Sequence, residues 1–434
     1  MTLRRLLGLS SAASGLRRRG FSTAAWRPPW AMIHKYVAVN TPEPRVSLSL
    51  AEPPCASRLV VPSHLIYKPR DPGPNSDAMS LFFAGFVKTA SEDGLLLLTF
   101  ADFDGTAAVV STRGGVERRA VTGVHMNPDV TRYVCNPLSG QLFGLPDIDG
   151  TKKTMWFSVI GILTQSESPH QPPDRYAIAV LSDSEGRDGE QRSFVMRRFL
   201  SETGKWEKLV GLQSPLPLGR RMDMDTLHEA VAFAGRLWWV DVSWGALSVD
   251  PFSDRPELRF VELPRGSVTE PVEKNRRREL CEYRRIGVSE GRLRYVEVSQ
   301  EEPFVLSSFA LDDDCCCWTL EHRLSLRRVW PHEDLCEKMP GIAAIDPLNA
   351  RVMHLTIGKQ ALSLDMDGNL LGCTLLAEGD DPKRPFDFLK PCVLPPWLQS
   401  SRIPSAGALS GNKSNAKSKT LSDILVRVDR DKKN

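Results

Sequence analysis

Two aspartates, two positions apart, are the residues of this 434-residue chain best suited to phosphate chemistry. Asp102 and Asp104 stand in the segment Asp-Phe-Asp-Gly-Thr, three residues after the apolar run 95–98. Side chains at positions i and i+2 of a strand point to the same face of a sheet. A carboxylate nucleophile and a carboxylic acid in this arrangement could therefore act on one bound phosphate.

This segment resembles the first motif of the haloacid-dehalogenase phosphohydrolases, and the resemblance implies Asp102 as nucleophile and Asp104 as acid–base. Asp380 and Asp381 similarly resemble the late metal-binding acids of that superfamily. The superfamily requires a doubly wound α/β core, but the helices between strands and the middle motifs are missing here. Asp-Phe-Asp-Gly between two apolar runs is also typical of a hairpin turn. We keep the phosphohydrolase as the alternative function and predict no catalytic residue.

The cysteines and histidines do not form a recognisable metal-binding pattern. Nine cysteines occur without a Cys-x-x-Cys pair, which predicts neither a zinc ribbon nor a regular disulfide framework. Cys315, Cys316 and Cys317 are consecutive, so in a strand they would point to opposite faces and could not share one ion. The densest ligand-like cluster, at 332–336, is explained equally well by a turn. We expect reduced thiols, no metal and no cofactor.

Three tryptophans are the residues best suited to anchor a protein partner. Trp238, Trp239 and Trp244 lie close together in the chain, and tryptophan is enriched where protein interfaces concentrate their binding energy. Packing of the same three side chains in the core is the other explanation.

The sequence pattern around these residues predicts strands. Short apolar runs recur between 56 and 397, and 32 prolines and 31 glycines punctuate the chain as turn residues do. The alternation of strand and helix that a parallel sheet requires is not visible. The sequence therefore predicts an all-β fold.

A weak internal repeat indicates the architecture. Residues 235–243 are echoed by residues 291–299, and 349–357 are a fainter third copy. Each copy follows an apolar segment through a tight turn, which predicts a strand–turn–strand unit. Periods of 40–60 residues are typical of propellers, so we predict a β-propeller-like domain of about six blades over residues 56–397. Two packed β-sandwiches with a coincidental echo are the alternative.

The flanking segments differ in composition from this domain. Residues 1–21 are rich in Arg and Ser and contain no acid, as mitochondrial transit peptides do. The segment around Arg19, Phe21 and Ser22 resembles the mitochondrial processing site. We predict import into the mitochondrial matrix, with the chloroplast as the lesser alternative, a linker over 22–55 with an edge strand around 33–39, and a disordered basic tail over 398–434.

Charge and hydropathy exclude two classes of partner. The whole chain has a net charge of +3, and without residues 1–21, which carry five arginines and no acid, the remaining chain has a net charge of −2. A protein that binds nucleic acid needs a basic face. We therefore expect no nucleic-acid partner. Local pairs such as Arg284-Arg285 could contact an anion or form solvated strand edges, and we interpret them as strand edges. No apolar run reaches the roughly 18–20 residues of a membrane-spanning helix, so we expect no membrane insertion.

Three segments resemble a known family. Residues 91–98, 132–141 and 231–264 are similar to a plant family of unknown function, domain sixteen-eighteen, that is expanded in grasses. The phrase Cys-Asn-Pro-Leu-Ser-Gly within 132–141 also resembles F-box-associated domains, although no F-box pattern occurs in 22–55. The resemblance implies a β-propeller without established catalytic residues. We therefore predict a non-catalytic, mitochondrial scaffold that binds a protein partner.

Overall fold

The computed structural model describes about five-sixths of the predicted domain and most of the segment 22–55, but none of residues 1–26. The described ranges are 27–39, 44–66, 78–113, 116–153, 155, 158–184, 193–217, 220–222, 224, 229–271, 273–328, 339–358, 360–375 and 389–405. The predicted transit peptide with Arg19, Phe21 and Ser22 lies outside these ranges, as do Asp380, Asp381, the cluster at 332–336 and most of the predicted tail.

Strands dominate the described ranges, so the predicted all-β class is confirmed. The first thirteen are β1 (Trp30–His34), β2 (Tyr36–Val37), β3 (Ser47–Ser49), β4 (Ala56–Val60), β5 (Ala78–Ala90), β6 (Leu96–Arg113), β7 (Val116–Val124), β8 (Asp129–Asn136), β9 (Gln141–Gly144), β10 (Ile160–Gln165), β11 (Arg175–Asp183), β12 (Ser193–Leu200) and β13 (Lys205–Gln213). The next thirteen are β14 (Glu229–Phe233), β15 (Arg236–Asp241), β16 (Gly245–Val249), β17 (Arg259–Glu262), β18 (Arg284–Ser289), β19 (Arg292–Val298), β20 (Val305–Leu311), β21 (Trp318–Ser325), β22 (Gly341–Ile345), β23 (Val352–Ile357), β24 (Gln360–Asp365), β25 (Leu370–Leu375) and β26 (Leu389–Val393).

Helices are few among the described residues. They are α1 (Ser63–Ile66), α2 (Lys274–Tyr283) and the short 3₁₀ turns Ile148–Gly150, Leu326–Arg328 and Pro396–Gln399. None of the described helices is long and apolar enough to cross a bilayer.

The strands form six sheets that follow one another in a closed order. Sheet 1 has the order β2-β5-β6-β8-β9, with β7 paired to β6; sheets 2 to 5 are β10–β13, β14–β17, β18–β21 and β22–β25; sheet 6 is β26-β1-β4-β3. The first strands contact one another in sequence, from β5 through β10, β14, β18, β22 and β26 back to β5. A six-bladed propeller requires this closed order.

The two ends of the described chain meet in sheet 6. Strand β1 pairs in antiparallel fashion with β26 and in parallel with β4, and all five of its residues are buried. The segment 22–55, predicted as a linker, thus supplies three short strands to the sheets. Leu398 and Ile403, at the start of the predicted tail, are also buried. Described strands and buried residues thus occur on both sides of the range 56–397.

The internal repeat corresponds to equivalent hairpins in consecutive sheets. The turn of β14–β15 holds Ala234 and Gly235 at φ 50° and 70°, and the turn of β18–β19 holds Glu290 and Gly291 at 50° and 69°. Two successive left-handed residues form the turn whose twist matches that of the flanking strands. The third copy is the β22–β23 hairpin, which has a longer turn.

Candidate functional site

The three tryptophans are core residues. Trp238, Trp239 and Trp244 are 1%, 0% and 2% exposed. The Trp239 indole donates to the carbonyl of Val159 at 3.1 Å and thereby ties sheet 3 to sheet 2. Arg220 covers the Trp244 ring at 4.6 Å. Because these indoles have almost no free surface, they cannot be the partner anchors that the sequence suggested.

Asp102 and Asp104 lie inside a strand rather than in a hairpin turn. Both belong to the 18-residue strand β6, which continues through Gly105 to Arg113. Asp102 accepts a hydrogen bond from Ser80, and Asp104 lies 3.3 Å from the Lys153 ammonium. These carboxylates therefore have structural partners in an antiparallel sheet. The doubly wound core that the phosphohydrolase alternative requires is not the fold described.

The three consecutive cysteines occupy a turn, not a strand. Between β20 and β21 the Asp312 carboxylate accepts hydrogen bonds from the backbone N–H groups of Cys316 and Cys317, at 2.7 and 3.1 Å. Partial burial raises the pKa of the Cys315 thiol, which favours its protonated form. No group of three or more His, Cys, Asp or Glu residues is arranged to hold a metal among the residues the structure describes.

A serine, a histidine and an aspartate come together in sheet 5, and sequence reasoning missed this cluster. His354 Nδ1 lies 2.7 Å from Ser363 Oγ, and its Nε2 lies 3.7 Å from Asp346 Oδ2. Trp30 packs edge-on against the imidazole with ring centroids 5.2 Å apart. Ser363 is 4% exposed. A hydroxyl this inaccessible cannot attack a substrate, so the cluster is structural.

The strongest charge arrangement joins three sheets at the centre of the molecule. Glu229 begins β14, Arg285 lies near the start of β18, and Lys390 lies near the start of β26. Glu229 Oε1 accepts a hydrogen bond from Lys390 Nζ at 2.7 Å and one from Arg285 Nη2 at 3.1 Å. We call these residues the central trio.

The trio fixes its own charge states. Burial alone would raise the pKa of Glu229, but Arg285 and Lys390 outweigh it and lower the pKa to about 2. The Arg285 guanidinium also donates to the carbonyl oxygens of Ile342 and Ala343 in sheet 5. One ionised carboxylate and two cations thus connect sheets 3, 4, 5 and 6. The net charge of the trio is +1.

A cavity of about 110 Å³ lies beside the trio. Its walls come from the first strands of sheets 1, 3, 4, 5 and 6 and are largely apolar: Ala90, Ala230, Ile286, Val288, Ile345 and Pro391. The trio stands where β14, β18 and β26 begin, whereas Glu92 follows the end of β5 and is exposed. We call the part of the cavity beside the trio the charged end and the part beside Glu92, after the end of β5, the turn end. The two parts are in contact, since Thr89 of β5 donates to the carbonyl oxygen of Ala230 at 3.0 Å.

Glu92 is the titratable residue at the turn end. Its side chain keeps accessible surface, yet desolvation by the surrounding protein, with Asp93 adjacent, raises its pKa to about 7. Desolvation also raises the pKa of Asp93, against the effect of the 2.6 Å hydrogen bond from Thr164.

A second feature is the β6–β7 hairpin of sheet 1, which continues past the part of β6 that pairs with β5 and β8. Strand β6 pairs with β8 over residues 96–102 and with β7 over 105–113. Its partner β5 ends its pairing at Thr106. Large apolar side chains are exposed along this segment and the turn after it: Val109, Val110, Val121, Val124 and Met126, at 42–70%. We call residues 105–126 the projecting hairpin.

The sequence offered a partial signal for the trio. Arg284 and Arg285 precede the apolar residues 286–288, which indicates a place at the start of a strand. From the sequence we interpret the pair as a solvated strand edge. Their side chains are instead 14% and 8% exposed, because β18 is the first strand of its sheet and faces the centre of the ring. Glu229 and Lys390 are 161 positions apart, and nothing in the sequence pairs them.

Comparison with known proteins supports the predicted family. Residues 239–357 match the family described as "Protein of unknown function (DUF1618)", so the prediction of a domain of unknown function is confirmed. This match spans β15 to β23 and includes the second and third repeat copies. No curated protein matches the chain in sequence.

Two solved structures are similar over most of their length. The first, a "putative 6-phosphogluconolactonase" of Bacteroides fragilis, is 10% identical, with 80% of this chain and 96% of the other covered and a TM-score of 0.26. The second, apo AztD of Citrobacter koseri, is 10% identical, with 83% and 98% covered and a TM-score of 0.30.

Proposed function

We propose that this protein is a non-catalytic binding module of the mitochondrial matrix whose protein partner adds an extended, acidic segment to strand β7. The observation that carries the proposal is the projecting hairpin. In the described part of the chain, β6 is the one strand paired with β7. The other edge of β7 therefore presents backbone N–H and C=O groups that a partner strand could pair with.

The side chains beside this edge favour a partner over solvent. Val121 and Val124 on β7 are 58% and 54% exposed, and Met126 is 70% exposed. Edge strands are normally protected by charge, proline or cover because an apolar edge invites pairing with another chain. Burial of these three side chains against a partner would recover about 25 cal/mol for each Å² of apolar surface removed from water.

The charge of the hairpin indicates the chemistry of the partner. Residues 105–126 contain Arg113, Arg118 and Arg119 but one acid, Glu117. A second copy of the hairpin would bring the same excess of positive charge, which disfavours pairing between two copies. An extended segment with acidic residues has the complementary charge and gains from electrostatic steering.

The test is site-specific crosslinking in isolated mitochondria. A photoreactive residue at Val121 should crosslink to one partner, whereas the same group at Val210 should not. Val210 is the matched control because it is 69% exposed on the edge strand β13 of sheet 2. In a pulldown, Val124→Asp should reduce recovery of that partner at least about tenfold, and Val210→Asp should not. Equal labelling at both positions, or no stoichiometric partner, would contradict the proposal.

The location is supported by composition and needs its own test. Residues 1–21 contain five arginines and no acid, which is typical of an import signal. A fusion of residues 1–40 to a fluorescent reporter should enter mitochondria. Replacement of Arg17, Arg18 and Arg19 by Glu should leave it in the cytosol. Import into chloroplasts instead would move the proposed module to that organelle without affecting the hairpin argument.

A further inference from the structure

We infer that the central cavity binds a small monocarboxylate, with the carboxylate beside Lys390 at the charged end and a short apolar body along the walls. This site is separate from the projecting hairpin and does not depend on the proposed partner. The inference rests on three observations: the charge of the trio, the unused donors of Lys390, and the size and chemistry of the cavity.

The charge at the end of the cavity is not balanced. Arg285 and Lys390 carry two positive charges against the single negative charge of Glu229. Among the described residues, Glu229 is the only hydrogen-bond partner of the Lys390 ammonium, which has three N–H donors. The Lys390 side chain is 14% exposed and lines the cavity. An anion there would accept a charge-assisted hydrogen bond from a donor that has little access to water.

Arg285 and Lys390 have different roles at the charged end of the cavity. The Arg285 guanidinium donates hydrogen bonds to the Glu229 carboxylate and to the carbonyl oxygens of Ile342 and Ala343. Its role is therefore to hold sheets 3, 4 and 5 in position. Among the described residues the Lys390 ammonium makes one hydrogen bond with its three N–H donors, so we expect Lys390 to contact the ligand, with the Arg285 guanidinium beside it.

The cavity limits the size of the ligand and selects its body. A volume of about 110 Å³ holds several water molecules, or an organic molecule of roughly five to eight non-hydrogen atoms. Its walls are mostly alanine, isoleucine, valine and proline side chains. Binding sites for small molecules typically combine such apolar walls with a few fixed polar groups. A phosphate dianion carries more charge than the net +1 of the trio, so a monoanion matches the site better.

A carboxylate in the lining supports the same orientation. Glu92 lines the cavity, so in its ionised form it repels a ligand carboxylate, whereas the cations of the trio attract one. The ligand should therefore bind with its apolar end toward Glu92. Removal of the Glu92 charge should strengthen binding, and removal of the Lys390 charge should weaken it.

The experiment is a calorimetric titration of the full chain with butyrate and with its neutral isostere butyramide. Butyrate should bind with a Kd on the order of 1 mM, which is reasonable for six non-hydrogen atoms. Butyramide should bind at least about tenfold more weakly, because its neutral carbonyl oxygen lacks the charge that pairs a carboxylate with the Lys390 ammonium. Equal affinities for the two compounds, or no heat with butyrate at about 20 mM, would overturn the inference and leave the cavity as a water-filled space.

Three variants locate the site. Lys390→Met leaves the Glu229–Arg285 pair neutral and should weaken butyrate binding at least about tenfold. Val288→Phe narrows the cavity without altering a charge, so binding should be lost while the melting temperature stays near that of the wild type. At pH 8, where Glu92 is ionised, Glu92→Gln should strengthen binding about twofold to threefold. Wild-type affinity in both Lys390→Met and Val288→Phe would overturn the proposal. Butyrate binding should persist in Val124→Asp, which separates this site from the hairpin.

Discussion

At the scale of single residues, Glu229 shows how the ring uses charge. Its carboxylate lies between a guanidinium from sheet 4 and an ammonium from sheet 6. A buried charge stabilises a fold when opposite charges and hydrogen bonds compensate its lost hydration. Arg285 and Lys390 provide these charges and hydrogen bonds for Glu229. The carboxylate in turn reduces the electrostatic repulsion between the two cations. The trio is therefore a structural clamp as well as one end of the cavity.

Glu229→Gln should destabilise the protein by about 2 kcal/mol. Removal of one partner from a fully buried pair costs roughly 3–5 kcal/mol, and the smaller value reflects the 28% of the Glu229 side chain that remains accessible. Urea denaturation at pH 7 measures the change. The exposed Glu167→Gln is the control and should stay within about 0.5 kcal/mol of wild type. Equal stabilities for the two variants would show that the trio contributes nothing.

The same carboxylate should make the fold sensitive to acid. The pKa of Glu229 is lowered from 4.5 to about 2 in the folded chain, so the folded state releases its proton more readily than the unfolded state. The stabilisation is complete above pH 4.5 and is lost as the pH falls toward 2. The stability difference between wild type and Glu229→Gln should therefore shrink between pH 4.5 and pH 3. A difference that stays constant over this range would contradict the assignment.

Glu92 should have the opposite pH dependence. Its pKa is raised from 4.5 to about 7, so the folded protein holds a proton that the unfolded chain has already released. Stability is therefore highest below pH 4.5 and falls as the pH rises to 7. Urea midpoints at pH 5, 6, 7 and 8 should show a wild-type decline that Glu92→Gln removes. The exposed Glu301→Gln should decline as the wild type does, and a decline that persists in Glu92→Gln would show that another group causes it.

At the scale of elements, the hairpin turns carry the repeat. Gly235 and Gly291 adopt left-handed backbone at φ 70° and 69°, a conformation that costs other residues roughly 1–2 kcal/mol. A Cβ at either glycine would meet no atom within 4 Å, so the cost of substitution is in the backbone alone. Gly94 differs, because a Cβ there would lie 2.3 Å from the carbonyl oxygen of Val393.

These contacts predict a ranking of alanine substitutions. Gly235→Ala and Gly291→Ala should each lower the free energy of unfolding by about 1 kcal/mol. Gly94→Ala should cost clearly more, since it adds a clash between sheets 1 and 6. Chemical denaturation of the three variants gives the ranking. Glu290→Gly, which relieves a left-handed non-glycine residue, is the control and should not destabilise. Equal costs at all three glycines would mean that sheet 6 can shift to admit the Cβ.

The hairpins could be predicted from sequence because their signal is local. A glycine beside alternating apolar residues specifies turn and strand within about ten positions, so the copies at 235 and 291 were recognisable. The Asp-Phe-Asp-Gly segment has similar residues but continues as one strand, since Gly105 pairs with Met79 and Val124 on its two sides. Turn chemistry alone does not reveal whether a strand has partners that keep it straight.

The trio and sheet 6 could not be predicted because their partners are distant in the chain. Lys390 meets Glu229 across 161 positions, and Trp30 pairs with Val393 across most of the protein. Strand β1 has only five residues and follows two prolines. A segment this short, next to prolines, has the sequence pattern of a linker. The sequence also could not decide between core packing and partner binding for the three tryptophans, because a buried and an exposed indole have the same sequence signal.

At the scale of the whole molecule, the ring is held by contacts between its ends. Sheet 6 takes β26 from the end of the described chain and β1, β3 and β4 from its beginning. Asn136 of sheet 1 donates to the carbonyl oxygen of Leu398 at 2.7 Å, and Ile403 N–H donates to Gln141 at 2.7 Å. The segment 389–405 thus joins sheet 6 to sheet 1. It also brings Lys390 to the central trio.

Closure of this kind predicts a sharp difference between two truncations. A chain that ends at Ser405 keeps β26, Lys390 and the contacts of Leu398 and Ile403, so its melting temperature should stay within a few degrees of the full chain. A chain that ends before Leu389 leaves the buried strand β1 with one unpaired edge and Glu229 with one cation fewer. Because each sheet packs against both neighbours, the loss should spread around the ring. Circular dichroism melts and limited proteolysis measure the outcome.

The longer truncation should be insoluble or should melt at least about 10 °C below the full chain, since a loss of several kcal/mol shifts the transition by that much in a protein of this size. Supplying residues 389–405 as a separate peptide should restore part of the stability, because the β1 edge and the Glu229 carboxylate are its binding site. The Lys390→Met peptide should restore less. Normal melting of the chain that ends before Leu389 would mean that the five remaining sheets are stable without closure, and the ring would then be an arrangement of independently folded units.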